Sequence, residues 1–431
     1  MSRQKKRRGR VRPPIRRKQQ SKQVRRDSIA SRNAAPAPSQ GAAEQRLHGR
    51  VVSLDPLLPI IVRSGRPMEG KSDADPARFP PPSTIAGCLR TAWARAEDRP
   101  FGLELAEKAV AGPLLLARDN RILVPRPADA LYFGSGDGAR CIRATPCQFT
   151  DGIGTDLPNG LLPVRLTEHM REKPGKGPNW WDWEDLLSFR RGQTVAHAQL
   201  CANGWSPGSG DRRTHVTIDP DTYAARDGQL FQTEGLDLDA GPVRHDECPE
   251  ERKRRLGPGG LRLLARFAEP LGNTLVHLGG KRRLAALEPE AESIWPKPPE
   301  DWFERIQAAG GLSLTLLTPG IFSAGYRPGW LSGPEQIGSP PVAPPLKLRL
   351  RAVAVERWQP HSGWDIANRR PRPTRKLAGA GTTYWLQALD DLNVETLEAL
   401  WLTGICDDEQ DRRDGFGLAL PAPWTPLDRG A

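Results

Sequence analysis

The sequence predicts an α+β protein with antiparallel sheets, built from two domains and preceded by a disordered basic tail. The order strand, helix, paired strands, helix, strand occurs twice along the chain, and this succession is typical of α+β domains with antiparallel sheets. A shift in composition separates the first 46 residues from the rest. We therefore predict a tail over 1–46, a first domain over 47–290 with an insertion around 150–212, and a second domain over 291–431.

The tail is the main source of positive charge. The whole chain has a formal net charge of +12, yet residues 1–50 hold 16 Lys/Arg against only Asp27 and Glu44. The remaining residues hold 47 basic and 49 acidic groups, so the folded body is nearly neutral. Because the tail is poor in large apolar residues, it cannot offset its chain entropy and is predicted to be disordered. It is either an arm that contacts RNA phosphates or a solvated extension, and the sequence leaves both open.

Cysteine usage and hydropathy bear on the compartment. Six cysteines at irregular spacing do not form a disulfide framework, which favours a reducing cytoplasm. There is no run of about 18 apolar residues, so no membrane span is expected. The N-terminus is basic but lacks the apolar stretch of a secretory signal.

The first domain opens with a strand followed by a helix. Residues 50–63 are apolar and β-branched but contain prolines, which predicts an edge strand or two short strands. After three prolines a helix is predicted to begin with Ser83 as its N-cap, since Ile85, Leu89 and Trp93 then share one face. Further strands are predicted at 114–116, 121–124, 130–133, 214–218, 228–238 and 261–267.

The second domain repeats the pattern. Helices are predicted near 302–309 and over 394–402, and strands at 312–317, 346–358, 382–389 and 418–420. The proline-rich stretch 334–345 is interpreted as a loop or linker. In the insertion, Trp180, Trp181 and Trp183 form either a surface patch for a partner or a buried group.

Five motifs carry a resemblance to a known family, in that family's order. They are Arg63-Ser-Gly-Arg-Pro-Met with Phe79-Pro-Pro-Pro-Ser-Thr-Ile-Ala-Gly-Cys-Leu-Arg, His215-Val-Thr-Ile-Asp with Asp227-Gly-Gln-Leu-Phe, His277-Leu-Gly-Gly-Lys-Arg-Arg, Phe322-Ser-Ala-Gly-Tyr-Arg-Pro-Gly-Trp, and Gly381-Thr-Thr-Tyr-Trp with Asp414-Gly-Phe-Gly-Leu-Ala. Through these motifs, over roughly 48–424, the sequence resembles the third subunit of the Cmr complex. That complex is the type III-B CRISPR effector, and the subunit lies within the RAMP superfamily.

The resemblance implies a fold and a function. It implies two ferredoxin-like (RRM-like) domains that bind the 5′ tag of the CRISPR RNA in antiviral defence. It also implies docking to the large palm-domain subunit and to a backbone RAMP subunit, with no nuclease activity and no cofactor. The basic tail and the long, Trp-rich stretch 150–212 depart from the family pattern.

Cations and glycines in the loops are the candidate RNA contacts. Bare backbone N–H groups of Gly-rich turns reach phosphates that a side chain would block. A helix N-terminus with cations is an anion site, and a Tyr beside an Arg can stack a splayed base and hold a phosphate. The candidates are Arg63, Arg66, Lys71, Gly280, Lys281, Arg282, Arg283, Gly325, Tyr326, Arg327, Gly415 and Gly417.

Each candidate has a structural alternative. The turn 279–283 is otherwise a solvated basic turn or forms an ion pair with a partner subunit. Gly415 and Gly417 otherwise permit close packing. Arg90 is interpreted as an ordinary surface residue as readily as an RNA contact, while Phe322 and Trp330 are expected in the core.

Catalytic functions are the main alternative class. A RAMP-type endoribonuclease that processes repeat RNA needs a general base, but no motif singles out His48, His277 or His361. A stand-alone basic RNA-binding protein is a third hypothesis, and the near-neutral body argues against it.

Zinc binding is a further alternative. His197 with Cys201, and His245 with Cys248, have the spacing of zinc ligands, although two unrelated pairs are the better interpretation. No metal site is predicted.

Overall fold

The computed structural model describes residues 48–62, 76–149, 152, 154–239, 260–365 and 370–427. The predicted tail therefore lies outside the described residues. The helices are α1 (Pro82–Ala96), α2 (Trp183–Arg190), α3 (His197–Asn203), α4 (Trp302–Ala309), α5 (Val394–Glu398) and α6 (Glu409–Arg413), with short 3₁₀ turns at Leu103–Glu107, Gly136–Gly138 and Glu292–Ile294.

The strands fall into two groups along the chain. The first group is β1 (His48–Pro56), β2 (Val110–Ala117), β3 (Ile122–Pro125), β4 (Ala130–Phe133), β5 (Arg140–Pro146), β6 (Val164–Leu166), β7 (Trp180–Asp182), β8 (Asp211–Ile218), β9 (Ala225–Gly235), β10 (Leu261–Gly272), β11 (Thr274–His277) and β12 (Leu284–Pro289). The second is β13 (Gly311–Leu316), β14 (Gly320–Ile321), β15 (Ile337–Gly338), β16 (Leu348–Ala354), β17 (Gln359–His361), β18 (Trp364–Asp365), β19 (Arg370–Pro371), β20 (Arg375–Ala378), β21 (Thr383–Ala388), β22 (Thr403–Gly404) and β23 (Leu418–Pro423).

Two large antiparallel sheets organise the described residues. The first has seven strands in the order β11-β12-β1-β10-β2-β3-β7. The second has six strands in the order β15-β16-β21-β13-β23-β22. Smaller sheets are β14-β20-β17, β4-β5-β6 and the hairpins β8-β9 and β18-β19. The predicted α+β class with antiparallel sheets is confirmed, whereas two ferredoxin-like domains with a boundary near 290 stay a prediction.

Helix α1 packs on the first sheet as the apolar spacing predicts. Ile85, Leu89 and Trp93 are all buried, in one cluster with strand residues of that sheet. The capping prediction was wrong, because the helix begins at Pro82 and Ser83 lies in its first turn. Proline suits this position, since its fixed φ matches the helix and its missing N–H would have no partner there.

The three tryptophans of the insertion are buried, which decides between the two interpretations. Trp180, Trp181 and Trp183 are at most 8% exposed, and β7 pairs with β3 at the edge of the first sheet. The indole N–H of Trp181 donates to the hydroxyl of Tyr132 at 2.6 Å. Aromatic burial therefore joins the insertion to the sheet, and these residues do not form a patch for a partner.

The two sheets share one hydrophobic cluster. Leu114 and Leu264 of the first sheet belong to the same buried cluster as Leu314 and Leu386 of the second. Both sheets lie in one unit, Leu47–Ala431. None of the helices in the described part of the chain has both the length and the apolar character needed to span a bilayer.

Candidate nucleic-acid interface

The third motif forms a rigid basic turn between β11 and β12. Lys281 and Arg282 both have positive φ, of 60° and 53°. The turn is closed by the Leu278 N–H, which donates to the Arg283 carbonyl at 2.9 Å, and the Gly280 N–H donates to the Ile61 carbonyl at 2.7 Å. Three consecutive cations are thus held in a fixed geometry.

Ile61 is also the point where the first motif approaches this turn. A Cβ on Gly279 would lie 2.6 Å from the Ile61 carbonyl oxygen, so only glycine allows this close approach. Arg63, Arg66 and Lys71 follow Ile61 closely in sequence, but they lie outside the described residues.

The hairpin β8-β9 lies against the basic turn. The Lys281 Nζ is 5.2 Å from the centre of the Phe231 ring, a cation–π contact. The His215 ring stacks on Phe231 at 5.0 Å and its Nε2 is 2.8 Å from the hydroxyl of Thr233. The second and third motifs, more than 40 residues apart in sequence, therefore meet at one site.

The three cations of the turn differ in exposure. Lys281 and Arg282 are exposed, whereas Arg283 is only 9% exposed. Loss of solvation lowers the pKa of Arg283, the positive charge of Arg213 lowers it further, and Asp211 opposes both effects. The site therefore combines two solvated cations with one covered cation.

The fourth motif is a loop that the Asp407 carboxylate holds through three hydrogen bonds. The Asp407 carboxylate accepts hydrogen bonds from the Ser323 N–H and hydroxyl, both at 2.8 Å, and from the Gly329 N–H at 2.7 Å. The Tyr384 hydroxyl donates to the Tyr326 carbonyl at 2.6 Å. The side chain of Tyr326 is left 38% exposed, as a base-stacking role requires.

The remaining aromatic residues of this motif support the loop. Phe322 is 6% exposed and belongs to the shared core, as predicted. Trp330 is half-buried, and its indole N–H donates to the Ile405 carbonyl at 3.0 Å. The side chain of Arg327 is partly exposed beside Tyr326.

The amides of the candidate glycines are all occupied within the protein, contrary to the expectation that they face phosphates. The Gly280 N–H donates to Ile61, the Gly325 N–H to the Phe322 carbonyl at 3.2 Å, the Gly415 N–H to the Arg412 carbonyl at 3.0 Å and the Gly417 N–H to the Pro319 carbonyl at 2.9 Å. These four amides are therefore not available to a phosphate without a change in the loops.

Gly415 and Gly417 are buried in a junction between the two sheets. A Cβ on Gly415 would lie 2.7 Å from the Gly112 carbonyl oxygen of β2, and one on Gly417 would lie 2.7 Å from the Cys406 Sγ. Both have positive φ, of 91° and 69°. This geometry favours the packing alternative for both glycines over contact with RNA.

Arg90 belongs to the same junction, so its interpretation as a surface residue was wrong. It is 8% exposed, and its Nη1 lies 2.5 Å from the Asp414 carboxylate. Its other donors reach the carbonyls of Lys108 at 2.9 Å and Arg413 at 3.1 Å. The first and fifth motifs are thus joined by a buried ion pair.

A second buried ion pair secures the other half of the fifth motif. Arg190 of α2 binds Asp129 in bidentate geometry, with both N–O distances at 2.7 Å, and the side chains are 5% and 1% exposed. Thr383 of β21 accepts from Arg190 at 2.9 Å and donates to Asp129 at 3.1 Å. These three residues bind one another and are buried, so we interpret them as part of the structural core of the fold.

Cations that no motif indicated gather near the start of α1. The Arg78 guanidinium donates to the Pro360 carbonyl at 3.4 Å. The neighbouring His361 ring lies 5.3 Å from Phe416. Burial lowers the pKa of His361 to about 4, and the charges of Arg375 and Arg372 lower it further.

Arg375, another of these cations, is held in an ion pair. The Arg375 guanidinium binds the Asp411 carboxylate at 2.7 and 2.8 Å. These residues come from three separate segments without regular spacing, so no local sequence signal marked them as a group.

Metal and catalytic alternatives gain little from the geometry. Within the described ranges, no group of three or more His, Cys, Asp or Glu side chains has the arrangement of a metal site. The Cys201 Sγ lies 3.7 Å from the His197 ring nitrogens, while His245 and Cys248 lie outside the described residues.

Comparison with known proteins gives a family. The model of the family described as CRISPR-associated protein (Cas_Cmr3) matches residues 52–424. Among curated proteins, nothing matches this sequence. The chain is similar in structure to chains of the type III-B Cmr-beta complex bound to cognate target RNA with AMPPnP, at 14% identity and a TM-score of 0.41, and without it, at 13% and 0.40. Each comparison covers 78% of this chain and 86% of the other. The resemblance that the motifs predict is confirmed by the family match: the chain belongs to the CRISPR-associated Cas_Cmr3 family.

Proposed function

We propose that this chain is a non-catalytic RNA-binding subunit of a type III-B CRISPR effector (Cmr) complex. It holds the 5′ tag of the CRISPR RNA and docks to the large palm-domain subunit and a backbone RAMP subunit. Family membership supports its place in the effector. The RNA-binding role rests on the basic turn.

The single observation that carries this role is the rigid turn 278–283 beside the hairpin. It presents Lys281 and Arg282 to solvent from backbone positions that are fixed by hydrogen bonds. Cations on a fixed scaffold bind a phosphate backbone with little loss of chain entropy. Tyr326 and Arg327 form a second candidate contact, where a base stacks on the exposed ring.

The strand order supports two ferredoxin-like domains. In the first sheet the central order is β12-β1-β10-β2, and in the second it is β16-β21-β13-β23. When the four strands of each set are numbered along the chain, both sheets have the same spatial order, 4-1-3-2. This is the strand order of a ferredoxin-like domain. Each half departs from the ferredoxin-like plan in its helices: β11 occupies the connection before β12, and a loop replaces the helix after β13.

The alternative is a RAMP-type endoribonuclease that processes CRISPR repeat RNA. His361 is a poor candidate for its general base, because burial lowers its pKa to about 4, far below the range in which a base is effective at neutral pH. His215 is engaged with Phe231 and Thr233. We therefore prefer the scaffold function.

A binding and cleavage assay tests this choice. Purified protein is mixed with labelled CRISPR RNA carrying the 5′ tag, and with RNA of scrambled tag. We expect tighter binding of the tagged RNA and no cleavage. In the double variant Lys281→Asn with Arg282→Gly, affinity falls about tenfold, since two phosphate contacts are lost. Asn and Gly tolerate positive φ, so the turn keeps its shape.

The control is Arg140→Gln, which removes an exposed cation far from the turn in sequence and leaves affinity unchanged. Metal-independent cleavage that is lost on substitution of a histidine by alanine would overturn the scaffold function. Co-purification of the tagged RNA and a palm-domain subunit from the native host would support the proposed partners. Recovery of mixed cellular RNA without such a subunit would contradict them.

A further inference from the structure

Arg283 is a covered arginine that forms no ion pair among the described residues. It is 9% exposed, and its Nη1 is enclosed yet has no acceptor among the described residues. Folded proteins rarely leave a covered guanidinium donor unsatisfied, because the loss of solvation is not offset. The Nε atoms of Arg190, Arg262 and Arg349 are also enclosed without an acceptor, but each of these guanidiniums binds a carboxylate through another nitrogen. Arg283 has no such ion pair among the described residues, so its charge is open to a ligand.

The nearest charges do not satisfy Arg283. Asp211 is an acid whose field reaches it, but the Asp211 carboxylate binds the Arg213 Nε at 2.7 Å. Arg213 is itself half exposed and adds positive charge beside Arg283. The charges of both Arg213 and Asp211 act on Arg283, and because Asp211 is already paired with Arg213, positive charge is in excess here.

The backbone fixes where Arg283 stands. Its carbonyl accepts the hydrogen bond that closes the turn, and the neighbouring Gly280 is tied to Ile61. On the other side, Lys281 contacts Phe231 of the hairpin. Arg283 therefore lies near the start of β8 in the hairpin β8-β9, and hydrogen bonds of the turn fix its backbone position.

We propose that Arg283, with Arg213 beside it, forms a binding site for one phosphate group of an RNA backbone at the base of the hairpin. The proposal rests on the proposed function and makes it more specific. A guanidinium offers paired donors that match phosphate oxygens, and a phosphate supplies the missing acceptor for Nη1.

The neighbouring cations favour RNA over an acidic protein segment. Lys281 and Arg282 extend the positive charge from Arg283 along consecutive residues. A repeating phosphate backbone matches such a row, because each phosphate is one fixed charge along a chain. Arg283 then holds one phosphate in place, while the exposed cations attract the adjacent ones.

Thermal melting with inorganic phosphate tests the site without RNA. The proteins are full-length wild type, Arg283→Met and the control Arg140→Met, which removes an exposed cation far from the turn in sequence. At constant ionic strength, replacement of chloride by phosphate is expected to raise the Tm of wild type and Arg140→Met but not of Arg283→Met. Without phosphate, Arg283→Met is expected to melt at the same temperature as wild type or higher, since a covered charge is removed.

Binding of the tagged RNA then tests the ligand. Arg283→Met should bind about tenfold more weakly, with a salt dependence reduced by roughly 0.7 in log–log slope, the value for one phosphate on a single strand. Arg282→Met should show a smaller loss. If Arg283→Met does not fold, Arg283→Lys replaces it; lysine keeps the charge but loses the paired donors, and intermediate affinity is expected.

The outcomes separate the two proposals. Equal phosphate stabilisation of wild type and Arg283→Met, or a lower Tm of that variant without phosphate, means that Arg283 is structural and overturns the site. Normal RNA binding by Arg283→Met overturns the site and leaves the proposed function intact. If wild type is stabilised by phosphate through Arg283 but binds no RNA, the proposed function and the RNA assignment both fail, and an acidic protein partner becomes the ligand.

Discussion

Arg90 and Arg283 are equally covered and stand in motifs of the same family resemblance, yet they have opposite surroundings. Arg90 is 8% exposed and places its donors on Asp414 and two carbonyls. Arg283 is 9% exposed and has an unsatisfied donor. Two equally covered arginines of one protein therefore differ in whether their donors find partners among the described residues, as our proposal for Arg283 requires.

The same division separates whole regions. The junction between the sheets holds bidentate pairs at Arg190–Asp129 and Arg375–Asp411. In the basic turn, Lys281 contacts an aromatic ring and Arg282 is exposed, while the hairpin cations Arg212, Arg213 and Arg226 form ion pairs at the surface. We therefore expect substitutions in the junction to change the free energy of unfolding, and those at the turn to change RNA affinity.

The largest effect is expected at Asp129. The substitution Asp129→Ala leaves the Arg190 charge buried without its partner, and this should lower the free energy of unfolding by about 3–5 kcal/mol. Urea denaturation followed by tryptophan fluorescence measures the change. The double variant Asp129→Leu with Arg190→Met should recover most of it, since neither charge remains.

An exposed ion pair is the control for this test. Arg140 and Glu168 pair at 2.8 Å with side chains 55% and 52% exposed, so Glu168→Ala should cost less than about 1 kcal/mol. If Asp129→Ala costs no more than this control, the junction is not held by its buried charge pairs and the comparison fails.

A smaller effect is expected from pH, at His361. Its pKa is lowered from 6.5 to about 4 in the folded state, so the unfolded chain binds a proton first as pH falls. Stability should therefore be complete above pH 6.5 and decline toward pH 4, by at most about 3 kcal/mol. In His361→Leu, which keeps an apolar contact with Phe416, this decline should be shallower.

The free energy of unfolding is measured between pH 7.5 and 4 for wild type and His361→Leu. The difference between the two curves gives the contribution of His361, because the carboxylates that also titrate in this range are common to both proteins. Arg375, Arg372, Arg78 and Asp414 are the charged groups that act on the ring. Identical pH profiles would show that neither burial nor these guanidiniums lower the pKa of His361 as expected.

The smallest effect is expected at the turn itself. Lys281→Met removes the cation–π contact with Phe231 and should cost about 0.5–1 kcal/mol. Hydrogen exchange of the β9 amides should become faster, while the global melting temperature stays within a degree or two of wild type. Unchanged exchange would mean that Lys281 does not hold the hairpin, and its role would be solely to bind a ligand.

Much of the fold followed from local patterns. Apolar spacing located α1, α4 and most of the strands, because burial of one face requires the same period in sequence and in structure. The Ser83 cap failed because proline can occupy the first helical position without an N–H to satisfy. The burial of Trp181 could not be predicted, since it depends on Tyr132, almost 50 residues away.

The candidate site was predicted only in part. The turn 279–283 was recognised from its cations, and the two strands of the hairpin were predicted near 214–218 and 228–238. Their contact with the turn through Phe231 carries no sequence signal. The contact of the candidate glycines with RNA stays a prediction, but their backbone amides, which look free in sequence, are occupied in the fold. Arg78 and Arg375 escaped notice because only tertiary structure brings their segments together.

Thr383 completes the Asp129–Arg190 pair from 254 residues beyond Asp129. During synthesis the aspartate leaves the ribosome long before the threonine that it needs. The shared core has the same dependence on late synthesis, since Leu114 packs in one cluster with Leu386 and Leu420, which are made much later. The nascent first half therefore exposes apolar and charged groups whose partners have not yet been made. A protein cut at residue 290 into two separately expressed pieces would leave the same groups exposed.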